Sequence, residues 1–126
     1  MVQIGTRLIV SDNSGARKAL CIGIYNGFQR SFARIGDIIL VTIKRLRAKR
    51  RNLSKVKKGQ MYKALIIRVK TFIKGYNTIY SFNDNAVILL NQKNKLVGTR
   101  IFGAIPKKLR YTKFFKLINL SAGILN

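Results

Sequence analysis

The chain has 126 residues and a formal net charge of +23, because 26 Lys and Arg are set against three acidic residues and no His. Repulsion between so many like charges disfavours a compact chain in isolation, so we expect a polyanionic partner, and nucleic acid is the first candidate. The lack of His and Glu removes side chains that often transfer protons near neutral pH, which argues against an enzyme.

Alternating apolar residues predict six β-strands, which cover residues 6–10, 18–25, 38–44, 63–70, 78–82 and 86–90. Turn-forming residues separate them, beginning with Asp12-Asn13-Ser14-Gly15. In the second and third strands, the apolar residues that share one face are Leu20, Ile22, Ile24, Ile39, Val41 and Ile43. Many short strands with frequent turns indicate a small closed or nearly closed β-barrel, and residues 1–126 fit a single domain.

The connection between the third and fourth predicted strands carries the densest charge. From Lys44 to Lys58, nine of fifteen residues are basic. Such a run is rarely ordered without counter-charge, so we expect a long hairpin tip that leaves the barrel and inserts into RNA or DNA. A solvated loop and a targeting signal are the alternatives that the sequence leaves open.

The C-terminal part is predicted to change structure at Pro106, the single proline of the chain. Thr112 is expected to cap a short helix from Lys113 to about Leu120. The residues of that helix expected to pack on the barrel are Phe114, Leu117 and Ile118.

Cys21 is the single cysteine and lies in the apolar run Leu20-Cys21-Ile22. It is interpreted as a small buried hydrophobic residue rather than a nucleophile, and one cysteine without histidine cannot form a Cys/His metal site. No cofactor is expected. No apolar segment reaches the length of a membrane span, and residues 1–7 lack the features of a signal or transit peptide, so the protein is expected to act in the compartment where it is made.

Several aromatic residues could stack on unpaired bases if they are exposed. Tyr25, Phe28, Tyr76 and Tyr80 are equally compatible with stacking and with packing in the core, whereas Phe82 is expected in the core.

Five short strings occur together along the chain. They are Ser11–Arg17, Ile35–Ile39, Val56–Gly59, Asn85–Asn91 and Gly98–Gly103. In order and spacing these strings resemble the universal large-subunit ribosomal protein 14 family, in particular its bacterial type, over essentially the whole chain. The resemblance implies a mainly β fold with a five-stranded β-barrel, a long basic hairpin and short C-terminal helices.

Members of that family bind large-subunit rRNA on the face of the large subunit that meets the small subunit. The resemblance therefore implies rRNA binding, an intersubunit bridge to small-subunit rRNA and contact with a neighbouring large-subunit protein. It also implies docking of a ribosome silencing factor, which in the family uses the residues that correspond to Thr99, Arg100 and Lys116.

The chain departs from the family pattern in three places. The hairpin segment Arg45–Lys55 is longer than usual and purely basic, so it is expected to penetrate further into RNA or to meet altered RNA. The segment Thr71–Asn77 has one Lys where several basic residues are common, so Phe72 and Tyr76 are expected to replace charge by stacking or by protein contact. The usual acids near the C-terminus are missing, which suggests a more purely RNA-directed bridge surface.

Ile, Asn, Lys, Phe and Tyr are abundant and Glu is absent, as an A+T-rich coding genome would produce. Without a presequence, this composition suggests a protein encoded inside a mitochondrion and acting in the ribosome of the mitochondrial matrix. The cytoplasm of an A+T-rich bacterium and a plastid are the alternatives.

The sequence thus predicts a structural, non-enzymatic protein whose Lys and Arg neutralise rRNA phosphates. The residues expected to contact rRNA are Arg17, Lys18, Arg30, Arg34, Lys44, Lys49, Arg50, Arg51, Lys57, Lys58 and Arg68. The residues expected at the subunit interface are Thr99, Arg100, Arg110, Lys113 and Lys116. A free nucleic-acid-binding barrel, acting as an RNA chaperone or translation factor, is the alternative. A cationic membrane-surface protein would need a strongly amphipathic basic helix, whereas the one predicted helix is short and terminal.

Overall fold

The structure is a computed structural model that describes residues 1–25, 31–50, 52–75 and 77–125. Its strands are β1 (Arg7–Val10), β2 (Ala16–Ile24), β3 (Ile38–Leu46), β4 (Met61–Arg68), β5 (Ile73–Lys74), β6 (Ile79–Tyr80), β7 (Ala86–Leu90), β8 (Ala104–Pro106) and β9 (Gly123–Leu125). A closed barrel is formed by β1, β2, β3, β4 and β7 in that order, while β5 pairs with β6 and β8 with β9. This confirms the prediction of a mainly β fold with a five-stranded barrel.

Strand direction gives the barrel two distinct ends. The strands β1 and β7 are parallel, and the other neighbours in the barrel are antiparallel. At one end β1, β3 and β7 finish while β2 and β4 begin, and we name it the basic end for the side chains described below. The β4–β7 connection, which contains the small β5–β6 sheet, leaves from the opposite end.

The inner face of β3 is the one that its sequence predicts. Ile39, Val41 and Ile43 are fully buried inside the barrel, in alternation with half-buried residues on the outer face. This period of two follows from the pleat of the strand, because successive side chains point to opposite faces.

The middle of β2 turns the face opposite to Leu20 and Ile22 inward. Ala19 and Cys21 are buried, whereas Leu20 and Ile22 are only partly buried. Ile24, beyond a shift in register, packs against the core inside the barrel. The pairing of β2 with β3 is irregular on both sides of Ala19 and Cys21, and a five-stranded barrel has room for small inward side chains. The predicted burial of Cys21 is confirmed.

The strands β4 and β7 are buried on both faces. One face of each, including Ile66 and Leu89, belongs to the core inside the barrel. The other face, including Leu65 and Ile88, belongs to a second core that lies under the C-terminal segment. The members of this outer core contributed by that segment are Ile101, Ile105, Leu109 and Leu117.

The prediction of a strand over residues 78–82 is largely wrong. Only Ile79–Tyr80 is a strand, and it pairs with Ile73–Lys74 outside the barrel. The exposed side chain of Ile79 shows why an apolar, β-branched run is an insufficient signal when no core covers it. Phe82 is half-buried and makes an edge contact with the Tyr80 ring at 5.8 Å, so its prediction as a core residue holds only in part.

The C-terminal helix differs from the prediction in type and extent. Two short 3-10 helices, Lys107–Tyr111 and Phe115–Leu120, replace one helix starting at Lys113. The Thr112 hydroxyl donates to the carbonyl of Leu109 at 2.7 Å and accepts from the N–H of Phe114 at 3.2 Å, so it joins the two helices. Within the described residues, no helix is long and apolar enough to cross a membrane.

The predicted packing residues of this C-terminal part lie against the outer core where they are described. Leu117 is buried in that core and Phe114 packs against it, as predicted. The expectations for the side chain of Ile118 and for the rings of Phe28 and Tyr76 concern positions outside the described residues.

The basic connection between β3 and β4 folds back on the barrel at its base. The N–H of Arg47 donates to the carbonyl of Gly15 at 2.9 Å, and the N–H of Lys55 donates to the carbonyl of Ser14 at 2.9 Å. Val56 is 1 % exposed and belongs to the barrel core. These anchors shorten the predicted tip, Lys44–Lys58, at both ends. The described residues that remain in the projecting tip are 48–50 and 52–53, and the residues on either side of it cover the β1–β2 turn.

Candidate nucleic-acid interface

A buried carboxylate fixes the β1–β2 turn at the basic end. Asp12 is 2 % exposed, and its Oδ2 accepts a hydrogen bond from the N–H of Leu89 at 2.9 Å. Its Oδ1 accepts from the N–H of Ser14 at 3.1 Å and from the Ser14 hydroxyl. These bonds offset the cost of removing the charge from water, so the turn is held firmly against β7.

Asn13 connects this turn to two of the predicted interface residues. Its Oδ1 accepts from the N–H of Thr99 at 2.7 Å and from that of Arg100 at 3.3 Å, and its Nδ2 donates to Thr99 Oγ1 at 2.8 Å. A Cβ at Gly98 would lie 2.6 Å from Asn13 Oδ1, so this close approach requires glycine. The turn therefore sets where Thr99 and Arg100 stand on the surface.

Arg68 bonds to groups of its own chain. Its Nε lies 3.2 Å from Asp84 Oδ1, its Nη1 donates to the carbonyl of Phe102 at 3.1 Å, and its Nη2 donates to the hydroxyl of Ser11. Gly103 has φ of +79°, and a Cβ there would overlap the guanidinium of Arg68. Arg68 thus ties β4 to three other parts of the chain, and its contact with a phosphate stays a prediction.

Two guanidinium groups lie close to the ring of Phe102. The Cζ of Arg47 is 5.2 Å from the ring centroid and that of Arg100 is 5.9 Å from it, within the range of cation–π attraction. Arg47 also donates to the carbonyl of Val10 at 3.4 Å, so its guanidinium is held by groups of its own chain. Arg100 is exposed and presents its charge at the surface.

Strand pairing gathers many of the predicted phosphate contacts. Lys18 and Arg45 are cross-strand partners on β2 and β3. The N–H of Gly59 donates to the carbonyl of Ile43 at 2.8 Å, which returns the basic connection to the end of β3. Six exposed cations meet here and are named the basic cluster: Arg17, Lys18, Lys44, Arg45, Lys57 and Lys58. Like charges on paired strands destabilise a sheet, so this cluster favours an external anion.

Two cations at the basic end fall within the predicted basic hairpin but were not among the residues singled out for rRNA contact. For Arg45, the bulged register that sets it opposite Lys18 cannot be read from β2 or β3 alone. Lys55 reaches across the basic end, where its Nζ donates to the carbonyl of Val97 at 3.5 Å. Its place in the basic run was the available signal.

The remaining predicted rRNA contacts are dispersed. Lys49 is exposed in a 3-10 helix at the projecting tip, whereas Arg34 is exposed at the barrel end opposite the basic cluster. Three predictions lie outside the described residues, namely those for Arg30, Arg51 and the side chain of Arg50.

The segment that carries Thr99 and Arg100 contacts the C-terminal 3-10 helices. The N–H of Ile101 donates to the carbonyl of Leu120 at 3.1 Å, which joins this segment to the end of the last 3-10 helix. The predicted interface residues of the 3-10 helices and their connection, all exposed, are Arg110, Lys113 and Lys116. The structure therefore places all five predicted interface residues on two segments in contact with each other.

Comparison with known proteins agrees with the five strings. The family model described as ribosomal protein L14p/L23e matches residues 1–125. The large ribosomal subunit protein uL14 of the bacterium Carsonella ruddii (strain PV) is 48 % identical over 126 residues, covering 99 % of this chain and 100 % of that protein. Both similarities extend over the barrel and the C-terminal segment alike. The chain belongs to the ribosomal protein L14p/L23e family.

Proposed function

We propose that the chain is a structural protein of the large ribosomal subunit and binds large-subunit rRNA through the basic cluster. Full-length identity of 48 % to a large ribosomal subunit protein supports this place in the ribosome. The observation that carries the rRNA contact is the cluster itself, six exposed cations brought to one end of a barrel by strand register and backbone hydrogen bonds.

The protein has few carboxylates with which to neutralise these cations. Asp12 and Asp84 are bonded inside the structure, and Asp37 accepts the N–H of Arg34 at 2.7 Å. With a formal charge of +23, most of the Lys and Arg require anions from outside the chain. An RNA backbone supplies such anions at regular spacing, and release of its counterions favours binding.

The proposed mechanism is electrostatic and geometric, without catalysis. Phosphate contacts fix the position of RNA segments and carry little sequence information, which suits a rigid barrel. The six cations of the basic cluster contact phosphates, and Lys49 extends this contact from the projecting tip. Arg34, exposed at the opposite end of the barrel, contacts RNA there. For Arg30, Arg50 and Arg51 the proposed phosphate contact rests on the sequence alone. We assign Arg68 a positioning role, because its guanidinium joins Ser11, Asp84 and Phe102.

The second surface of the proposal is the pair of segments that carries Thr99, Arg100, Arg110, Lys113 and Lys116. It would face the small subunit and form a bridge to small-subunit rRNA, beside a neighbouring large-subunit protein. The hydrogen bonds from Asn13 support this assignment, because they hold Thr99 and Arg100 in one orientation. The same face would receive a silencing factor at Thr99, Arg100 and Lys116.

We infer the cellular compartment from the bacterial relative rather than from the amino-acid composition. An A+T-rich coding bias fits bacteria as well as mitochondria, and the 48 % identical relative is bacterial. We therefore favour the cytoplasm of a bacterium over the mitochondrial matrix.

Sedimentation tests the ribosomal proposal. The full chain, tagged and expressed in cells, is expected to co-sediment with large subunits through sucrose in moderate salt. A chain that stays at the top of the gradient would instead support the free nucleic-acid-binding barrel.

A pair of variants tests the basic cluster. Lys57→Ala with Lys58→Ala is expected to release the chain at lower salt than wild type, since removing a phosphate contact weakens the salt-dependent part of the affinity. Lys57→Arg with Lys58→Arg keeps both charges at the same positions and is the matched control. Release of the Ala pair at the same salt concentration as wild type and the Arg pair would reject the cluster as the rRNA site.

A further inference from the structure

Two adjoining cavities lie between the β5–β6 sheet and the Lys107–Tyr111 helix. Their volumes are about 500 and 470 Å³. Ile73, Lys74 and Lys108 line both cavities, so two lysines stand where the cavities meet. This site is separate from the basic cluster, because the β4–β7 connection leaves the barrel at the other end.

The cavities are lined by cations and not by carboxylates. Arg34 adds a positive charge to the first cavity and Lys107 adds one to the second. Among the described residues that line either cavity, none is acidic. The shared lysines therefore mark the place at which an anion is held best.

Each cavity is lined by an aromatic ring that is largely exposed to solvent. Phe72 lines the first and is 82 % exposed, and Tyr111 lines the second and is 81 % exposed. Side chains of this size normally lie inside, so two such rings flanking a pair of lysines indicate a surface that a ligand covers.

The second cavity also contains a ring in a fixed orientation. Tyr80 meets Phe82 edge-on, with planes at 87°, and this contact holds its ring at the cavity wall. A tyrosine hydroxyl is protonated near neutral pH, and burial raises the pKa of Tyr80 further, so this hydroxyl can donate a hydrogen bond to a ligand oxygen.

We propose that the two cavities bind two consecutive nucleotides of a single-stranded rRNA segment, with the linking phosphate at Lys74 and Lys108 and one base against each of Phe72 and Tyr111. The proposal rests on the ribosomal function proposed above. An aromatic, a cationic pair and a second aromatic reproduce the base–phosphate–base order of a nucleic-acid strand, and unpaired bases stack on exposed rings of this kind. An acidic peptide would satisfy the lysines but gives no reason for a ring on either side of them.

Binding of two probes by the full chain tests the role of the bases. One probe is a fluorescently labelled single-stranded RNA hexanucleotide, and the other is the same sugar–phosphate backbone without bases. The basic cluster attracts both probes equally through their phosphates, so the ratio of their affinities isolates base contacts. We expect the hexanucleotide to bind about tenfold more tightly, and Tyr111→Ala or Phe72→Ala to lower that ratio about fivefold.

Two further variants serve as controls in this measurement. Ile4→Ala removes an apolar side chain that is 67 % exposed and lines neither cavity, so it should leave the ratio unchanged. Lys74→Ala should weaken both probes alike and reduce the log–log slope of the salt dependence by about 0.7. Equal affinities of wild type for the two probes, or an equal effect of Ile4→Ala, would overturn the proposal.

Crosslinking in assembled large subunits identifies the occupant. A photoreactive phenylalanine analogue in place of Tyr111 is expected to crosslink to rRNA. Crosslinking to a protein alone would assign the cavities to a protein segment, and no crosslink in subunits that contain the chain would show that they are unoccupied; either result rejects the proposal. Failure of the chain to enter large subunits would reject the ribosomal function itself, which sedimentation shows independently.

Discussion

Asn13 and Thr99 are separated by 86 positions and joined by two hydrogen bonds, one to the Thr99 backbone and one to its hydroxyl. A single amide thus fixes both the path of the chain and the direction of a side chain. Because Asn13 belongs to the β1–β2 turn, the surface proposed to face the small subunit is supported from the basic end of the barrel.

Asn13→Ala should lower the free energy of unfolding by about 1–3 kcal/mol, because it removes the acceptor and donor of these bonds. Asn13→Asp should cost less, since a carboxylate still accepts from the N–H of Thr99 and the Thr99 hydroxyl can rotate to donate to it. Urea denaturation of the three proteins measures the difference. Equal stabilities of Asn13→Ala and wild type would show that these hydrogen bonds contribute nothing.

Gly59 and Gly103 share a left-handed backbone conformation but differ in the space available for a side chain. Their Ala variants therefore distinguish backbone strain from a steric clash. Gly59 has φ of +85° and open space where a Cβ would stand, so Gly59→Ala should cost only the left-handed conformation, about 1–2 kcal/mol. Gly103→Ala should cost more, because the new methyl would also displace the guanidinium of Arg68 from the Phe102 carbonyl. Thermal or urea unfolding compares the two variants, and equal destabilisation would contradict the close approach of Arg68.

Cys21 should be protected from alkylation in the folded protein. It is fully buried, and burial raises the pKa of its thiol above the usual 9.0. We expect iodoacetamide at pH 8 to react at least about tenfold more slowly with the native chain than with the urea-unfolded chain. Equal rates would contradict the burial.

The same residue gives a pH dependence with a definite sign. The unfolded thiol ionises at lower pH than the folded one, so its contribution to stability is complete below the unfolded pKa and is lost as pH rises from about 9 through the folded pKa. Relative to Cys21→Ala, wild type should therefore become less stable between about pH 8 and pH 10. An unchanged difference between the two proteins would show that the folded pKa is not raised.

The projecting tip should contribute to the salt dependence of rRNA binding. Replacing Lys49, Arg50 and Arg51 by Ala should weaken binding and reduce the log–log salt slope by about 0.7–0.9 for each phosphate that is no longer neutralised. Lys49→Arg with Arg50→Lys and Arg51→Lys keeps the charge and is the matched control. A slope identical to wild type in the Ala variant would show that the tip does not touch phosphate.

Local patterns in the sequence predicted the five barrel strands, together with a strand over residues 78–82 that is not part of the barrel. The alternation in β3 predicted its inner residues correctly, because that strand is regular and one face is buried. In β2 the bulged pairing turned Ala19 and Cys21 inward, and an irregular register leaves no clear mark on hydrophobic alternation.

The candidate sites were harder to predict because they depend on contacts between distant segments. The charge of Arg68 is visible in the sequence, but its engagement by Ser11, Asp84 and Phe102 arises only when three segments meet. The register that pairs Lys18 with Arg45 is likewise a property of two strands together. By contrast, the family strings indicated Thr99 and Arg100 without any geometry.

Because β4 and β7 are buried on both faces, the two surfaces proposed to contact RNA are held in a fixed relative position. The C-terminal segment cannot lift from the barrel without exposing Leu65, Ile67 and Ile88 to water. Displacement of that segment therefore carries the free-energy cost of opening a hydrophobic core. The chain would act as a spacer of fixed length, in which RNA held at the basic end sets the position of the bridge surface without a hinge between them.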